Sequence, residues 1–302
     1  MRQSRRDLSC LWGSYASLVA RPLLYRYPKA MERSEYAKLA AFEERYWWHV
    51  GRRSIVSRQI ANLNRAKRKL RILNVGGGTG GTVDLLTEHG SVLNIDQSEE
   101  AVCRLLRSGY QALQMDGKHT SLRDEQFDLI TGLDVLEHIE EDRLALQEWH
   151  RLLKPGGHLL VTVPAYQWLW SGHDVSLGHR RRYTARRLQR KVYAAGFEAC
   201  KCTYAITFTF PLIVFFRVYQ KLFCPAVQKS SYIELPQIVN SFFISLLRAE
   251  AFLLQKCKFP FGTSVLLIAS KPIATKRRLY IHAPQEAAYA PADLEKVPAT
   301  QP

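Results

Sequence analysis

The stretch Leu73-Asn74-Val75-Gly76-Gly77-Gly78-Thr79-Gly80-Gly81 restricts what this chain can fold into more than any other. An apolar run ends in glycines, and Thr82-Val83-Asp84-Leu85-Leu86 then restarts an amphipathic pattern. Strand, glycine turn and helix make the first half of a βαβ unit that binds a nucleotide-like ligand. A side chain in that turn would hold the backbone away from the ligand, and the helix start offers unpaired N–H groups to it. The spacing alone does not name the ligand. Gly76, Gly78 and Gly81 fit the G-x-G-x-x-G of dinucleotide sites, whereas Gly76, Gly78 and Gly80 fit a G-x-G-x-G turn.

Further along, strand and helix patterns alternate. Ser91–Asp96 reads as a second buried strand ending in an acid, at the ~20-residue separation from Gly76 that suits a ribose-binding carboxylate. The helix-start residues Ser98 and Glu99 leave a capping role open for Asp96 as well. Residues 101–109 read as a helix, 112–117 as a short strand ending in Asp116-Gly117, and 127–131 as a fourth strand. A helix is expected up to Leu153, then a Lys154-Pro155-Gly156-Gly157 turn and a fifth strand over 158–164. This alternation predicts an α/β fold with a parallel sheet covered on both faces. Ligands of such sheets sit beyond the carboxyl ends of the strands, the edge that carries Asn74, Asp96, Asp116, Asp134 and the residues after Pro164.

Val75–Gly80, Asp96, Met115-Asp116-Gly117, Phe127–Ile130, Leu136-Glu137-His138-Ile139 and Leu153–Leu159 together resemble a class I S-adenosylmethionine (SAM)-dependent methyltransferase, similar to the ubiquinone and menaquinone subgroup. The resemblance spans roughly residues 70–200 and implies a Rossmann-like seven-stranded sheet with SAM as cofactor. It implies that Gly76, Gly78 and Gly80 let the backbone approach the methionine part and that Asp96, followed by Gln97, binds the ribose. Asp116 and Gly117 would face the adenine, and Leu133 and Asp134, just past the fourth strand, the sulfonium. Arg52 or Arg53, in the Trp47-Trp48-His49-Val50-Gly51-Arg52-Arg53 entry segment, would pair with the cofactor carboxylate. Asn74 departs from the pattern, because the subgroup has an acid there; its amide carbonyl still accepts a hydrogen bond but carries no charge.

Methyl transfer needs a positioned acceptor and, for a hydroxyl or amine, a proton acceptor. His138 is a candidate base. The loop after the fifth strand supplies His173, His179 and Tyr183, with Tyr166, Trp168 and Trp170 to wall an apolar acceptor and Arg180, Arg181 and Arg182 to hold an anionic group. The bland reading of the same loop is a surface turn leading into a helix capped by Thr184, with Leu188 opening its apolar face.

A sixth strand (199–204) and a seventh (263–271) should form the last hairpin, yet an apolar insertion, residues 206–262, separates them. Its first run, Tyr204–Phe216, is broken by Pro211 and falls short of the ~20 residues of a membrane span. The second sets Phe242, Leu246, Ala249 and Leu253 at helical spacing, interrupted by Arg248 and Glu250. Bordered by Arg217, Lys221, Lys256 and Lys258, this pair reads either as an interfacial membrane contact or as a pocket lid or dimer face.

The expected organisation is therefore a basic extension over 1–31, a helical cap over 32–69, a SAM-binding domain over 70–205, the insertion over 206–262, the final strand over 263–271 and a disordered tail over 272–302. Within the cap Tyr36, Leu39, Phe42 and Tyr46 share a helix face, and the acid-free run Arg52, Arg53, Arg58, Arg65, Lys67, Arg68, Lys69 and Arg71 reads as a solvated face.

With Lys and Arg totalling 43 against 27 acids, the formal charge of +16 favours anionic partners. The six cysteines lack paired spacing and suggest no zinc site, so no metal is expected. No secretory signal pattern stands out, which gives a cytoplasmic protein with a membrane contact open. The reading is a methyltransferase for a small or lipid-linked acceptor of quinone, polyprenyl or glycan type. Its alternatives are a nucleic-acid methyltransferase, ranked lower for want of a base-flipping motif after the fourth strand, and a non-catalytic SAM-binding or membrane-associated protein.

Overall fold

The computed structural model describes residues 42–223 and 235–273. The basic extension over 1–31, the start of the helical cap with Tyr36 and Leu39, and the tail beyond Ile273 lie outside the described residues. Seven strands form one sheet: β1 (Leu70–Val75), β2 (Gly90–Asp96), β3 (Ala112–Gln114), β4 (Phe127–Leu133), β5 (Leu153–Pro164), β6 (Glu198–Ala205) and β7 (Ser264–Ser270). Their order is β3-β2-β1-β4-β5-β7-β6, with β7 antiparallel to both of its neighbours and every other pair parallel. The strand reversal at β1/β4 opens a crevice at the carboxyl edge of the sheet.

Five helices belong to the sheet's connections: α2 (Val83–Thr87), α3 (Glu99–Arg107), α4 (Asp142–Leu152), the short α5 (Gly172–Leu177) and α6 (Ala185–Ala194). α1 (Trp47–Leu63) precedes β1, and α7 (Phe210–Phe223) and α8 (Gln237–Leu253) occupy the insertion between β6 and β7. The sheet separates two cores. Trp149, Phe127 and Tyr183 anchor one, while Ile55, Ile60, Leu105 and Leu247 fill the other, beneath α1 and α8.

Three boundaries differ from the sequence expectation. The 112–117 strand stops at Gln114, where Asp116 turns to bridge His119. The helix expected after Ile139 begins at Asp142 and ends at Leu152, with residues 135–141 running as turns after Asp134 at φ 56. Lys154–Gly157 is no separate turn: β5 already begins at Leu153 and carries an irregularity there, with Gly156 at φ +77.

The insertion is fastened to α1. Gly51 lets α8 approach so closely that a Cβ built there would lie 2.1 Å from Leu247 Cδ1. Asn240 accepts the Trp47 N–H at 2.9 Å and donates to the Arg45 carbonyl at 2.8 Å, which caps the start of α1 from α8. The buried stripe of α8 is Leu247, Glu250, Ala251 and Leu254; the stripe expected from sequence, Phe242 to Leu253, lies largely at the exposed surface. Apolar residues outnumber polar ones on both faces of this helix, so spacing alone pointed to the wrong one. Glu250, read as an interruption, is buried and accepts N–H bonds from Thr207 and Phe208 at 2.8 and 3.0 Å, pinning the turn that starts α7. No helix among the described residues is long and apolar enough to cross a membrane.

Candidate active site

A cavity of about 1150 Å³ lies over the carboxyl edge of β1, β2 and β4, walled on one side by the glycine turn and roofed by α7 and α8. A drug-sized ligand occupies a pocket of roughly 300–1,000 Å³, so a nucleoside-sized cofactor leaves room here for a second molecule.

At the glycine end the backbone forms the wall. Gly76 (φ +74) and Gly78 (φ +51) take left-handed conformations; a Cβ on Gly76 would strike Val135 Cγ2 at 2.3 Å, whereas Gly78 faces open space. Asp96, at the tip of β2, accepts the Gly78 N–H through Oδ2 and the Ser98 N–H through Oδ1, both at 2.9 Å. While Ser98 itself caps the helix that follows, Asp96 caps the turn and lines the cavity at once. Burial raises its pKa, and the backbone N–H groups of Ser98, Gly78 and Gln97 oppose that rise. Gln97, Asp116, Gly117, Leu133 and Asp134 line the same end, although Leu133 is the last residue of β4 and not past it.

Two expected cofactor residues do not line this cavity. Asn74 is buried within the sheet, donating to Asn94 Oδ1 and accepting from Thr131 Oγ1, each at 2.9 Å. Its amide ties β1 to both neighbours, which satisfies a buried polar group at the cost of contact with a ligand. Gly80 turns toward α3, where a Cβ would lie 3.2 Å from Leu105 Cδ2. Gly81 takes its place on the lining, with Glu43 over it and bonded to the Thr79 hydroxyl. Glu43 had no sequence signal beyond its proximity to the Trp-Trp segment.

Arg52 reaches the cavity from α1, stacks over Trp48 at 5.0 Å and pairs with the Asp134 carboxylate. The two tryptophans divide as their adjacency requires: Trp47 is buried against Phe243, and Trp48 carries the arginine. Between them and Arg52, His49 is pushed down to about 3, by burial first and then by Arg52 and Arg53.

The opposite end is built from buried charge. Asp174 is fully buried and meets Arg182 through two bonds, Nε to Oδ1 at 2.7 Å and Nη2 to Oδ2 at 2.9 Å. Oδ1 also accepts from His179 Nδ1 at 2.9 Å. A carboxylate only accepts, so Nδ1 carries the proton of this bond. His138 packs edge-on against His179 at 4.8 Å, and both line the cavity with Glu137 and His173. Burial lowers His138 and His173 to about 4, and pushes Glu137 well above the usual carboxylate range. Glu137 and Asp174 were visible in the sequence, within the quoted motifs, but nothing in their spacing assigned them a role.

Tyr183 is wholly buried and does not line the cavity; its hydroxyl donates to Asp142 Oδ2 at 2.8 Å. Tyr166 stacks between Trp168 and Tyr204, and these aromatics also lie off the cavity, as does Trp170. The apolar wall is instead Leu169, Leu212, Ile213, Phe216 and Phe243. Of the three arginines, Arg181 pairs with Asp142 and Arg182 with Asp174, while Arg180 pairs with Glu140 at the cavity rim. Thr184 caps α6 by accepting the Arg187 N–H, and Leu188 is buried, as the bland reading of the loop required.

Comparison with known proteins agrees with this geometry. The family described as "Methyltransferase domain" matches residues 73–161, which run from β1 into β5. Over these residues the chain is similar to class I SAM-dependent methyltransferases. A Mycolicibacterium smegmatis protein named as an S-adenosylmethionine-dependent methyltransferase is 29% identical over 164 residues, covering 52% of this chain and 61% of its own length. A ubiquinone biosynthesis O-methyltransferase of Ruegeria pomeroyi is 29% identical over 157 residues, covering 43% of this chain and 63% of its own length. The chain thus spans about three fifths of the curated relatives it matches.

A chain in the complex between the Haloferax volcanii Trm112 methyltransferase activator and a methyltransferase shares the fold, with a TM-score of 0.51 and 16% identity over 80% of this chain and 97% of that one. The methyltransferase domain fits its cofactor, SAM. The open space at Gly78 admits a close ligand, Asp96 presents a carboxylate to a diol, and Glu43, Asp134 and Arg52 supply both signs of charge for an amino-acid end.

Proposed function

We propose that this chain transfers a methyl group from SAM to a small acceptor with an apolar body. The observation that carries the reading is the single cavity whose glycine end suits a nucleoside and whose other end is roofed by Leu212, Ile213, Phe216 and Phe243. Bound SAM supplies an electrophilic methyl on a sulfonium, and the protein's task is to align the acceptor in line with it. Gly76 and Gly78 admit the cofactor, Asp96 and Gln97 hold the ribose, and Asp116 and Gly117 face the base. Arg52, paired to Asp134, orients the amino-acid end with Glu43. The apolar roof excludes water and positions the acceptor, and the groups within reach of an acceptor proton are Glu137, His138 and His179.

The finer reading is a lipid-linked acceptor taken from an anionic membrane surface. Phe215, Leu222 and Ile238 on the outer sides of α7 and α8 are 70%, 69% and 85% exposed, and the chain carries a formal +16. Apolar side chains on an amphipathic surface of basic charge are what interfacial contact requires. Replacing all three by Ser should abolish flotation with phosphatidylserine vesicles and leave the fold intact; unchanged flotation would remove the membrane reading.

The test of the main reading is incubation with methyl-labelled SAM and a total lipid extract or an RNA pool. Label in organic-soluble products supports it, label in RNA redirects it to a nucleic acid, and no label in either contradicts it.

A further inference from the structure

We infer that Glu137, His138 and His179 form a binding site for one divalent cation of the zinc type on the acceptor side of the cavity. One ligand atom from each of the three lies within 4.8 Å of the others, and His179 Nε2 is 3.9 Å from Glu137 Oε1. In a tetrahedral site with bonds of ~2.0–2.2 Å, ligand atoms stand ~3.4 Å apart, so side-chain rotations closing gaps of up to about 1.4 Å complete the set. Two imidazoles and a carboxylate leave a fourth position open, the arrangement of catalytic rather than structural zinc.

Two independent features point to a cation. The first is charge. Around the cluster the other carboxylates each have an arginine: Asp134 has Arg52, Asp174 has Arg182, Glu140 has Arg180 and Asp142 has Arg181, with Lys191 also on Asp142. Glu137 has no arginine paired directly to it; it is 0% exposed, and neither oxygen is hydrogen-bonded to another residue. A buried carboxylate in that state must take up a proton or a cation. The second is orientation. Asp174 holds His179 Nδ1, with Nε2 3.9 Å from Glu137 Oε1, and the Gly178 backbone hydrogen-bonds the His138 ring. A carboxylate behind a histidine is the outer arrangement that metal-ligating imidazoles use. The spacing of 137, 138 and 179 matches no metal motif, which is why the sequence suggested none.

The cation's use, lowering the pKa of an acceptor hydroxyl, rests on the methyl-transfer reading. Its binding does not, and the test separates the two. Calorimetric titration of the full-length protein with zinc chloride, without SAM, should give one site per chain. Glu137→Gln and His179→Ala should each abolish it, and Asp174→Asn should weaken it ~10–100-fold. No zinc heat, or unchanged heat in His179→Ala, overturns the inference. Should His179→Ala not fold, X-ray absorption of the zinc-loaded parent decides: nitrogen and oxygen ligands support the site, and sulfur ligands contradict it. A parallel titration with S-adenosylhomocysteine reports on the methyl-transfer reading alone.

Discussion

At the glycine end of the cavity the walls are main chain and carboxylates at strand tips; at the His179 end they are buried ion pairs under an apolar helical roof. The first end is compact in sequence: Asp96 accepts from Gly78 and Ser98, and Gly76 donates to the Ile95 carbonyl. The second joins residues from three separate stretches, 134–142, 165–183 and the insertion. Backbone-built sites tolerate changes in their surroundings, whereas a network of buried charges depends on each member. The two ends should therefore fail differently when broken.

The largest effect is expected at Asp174. Asp174→Ala leaves the Arg182 guanidinium buried without its counter-charge and frees His179, and should cost about 3–5 kcal/mol in chemical denaturation. A loss under 1 kcal/mol would mean that the acceptor end is not organised by this pair. Gly51→Leu comes next. Crowding against Leu247 should cost about 1–3 kcal/mol and lift the α8 roof, seen as faster hydrogen exchange in α8 than in β1.

At the glycine end, Gly78→Val should cost only about 1–2 kcal/mol for the left-handed backbone yet eliminate binding of S-adenosylhomocysteine, since its side chain enters the open space. Retained binding would break the assignment of that end. Tyr183→Phe is the smallest, about 1 kcal/mol from the bond to Asp142, with methyl transfer unchanged.

That last variant also has a pH signature. Burial pushes Asp142 up, but Lys191 and the Tyr183 hydroxyl, with Arg181, together hold its carboxyl below the usual range. A depressed carboxylate contributes stability that is present above its unfolded pKa of about 3.9 and disappears as pH falls through the folded value. Between pH 7 and pH 3 the parent should therefore lose more stability than Tyr183→Phe. An equal loss would detach Asp142 from the acid response.

The same contrast explains what could be read from the sequence. The sheet, the glycine turn and Asp96 were legible because strand alternation and turn chemistry are local, and the residues concerned follow one another. Asn74 and Gly80 sat in the right motif but face the sheet interior and α3, a matter of a side chain's direction that spacing does not encode. Tyr183 and the Arg181–Arg182 pair looked like acceptor chemistry and instead satisfy Asp142 and Asp174. Their partners lie tens of residues away or across a turn, so only the folded chain could show that these charges were already matched. The insertion was recognisable by composition, and its buried face was not, because Glu250 belongs to it.

The central claim is that the glycine end holds SAM through Asp96 beside a separately built acceptor end. Calorimetric titration with S-adenosylhomocysteine tests it most directly, comparing the parent with Asp96→Ala and confirming by circular dichroism that the variant still unfolds cooperatively. The account predicts saturable one-site binding in the parent and none in the folded variant. No heat from the parent, or equal affinity in both, would contradict it.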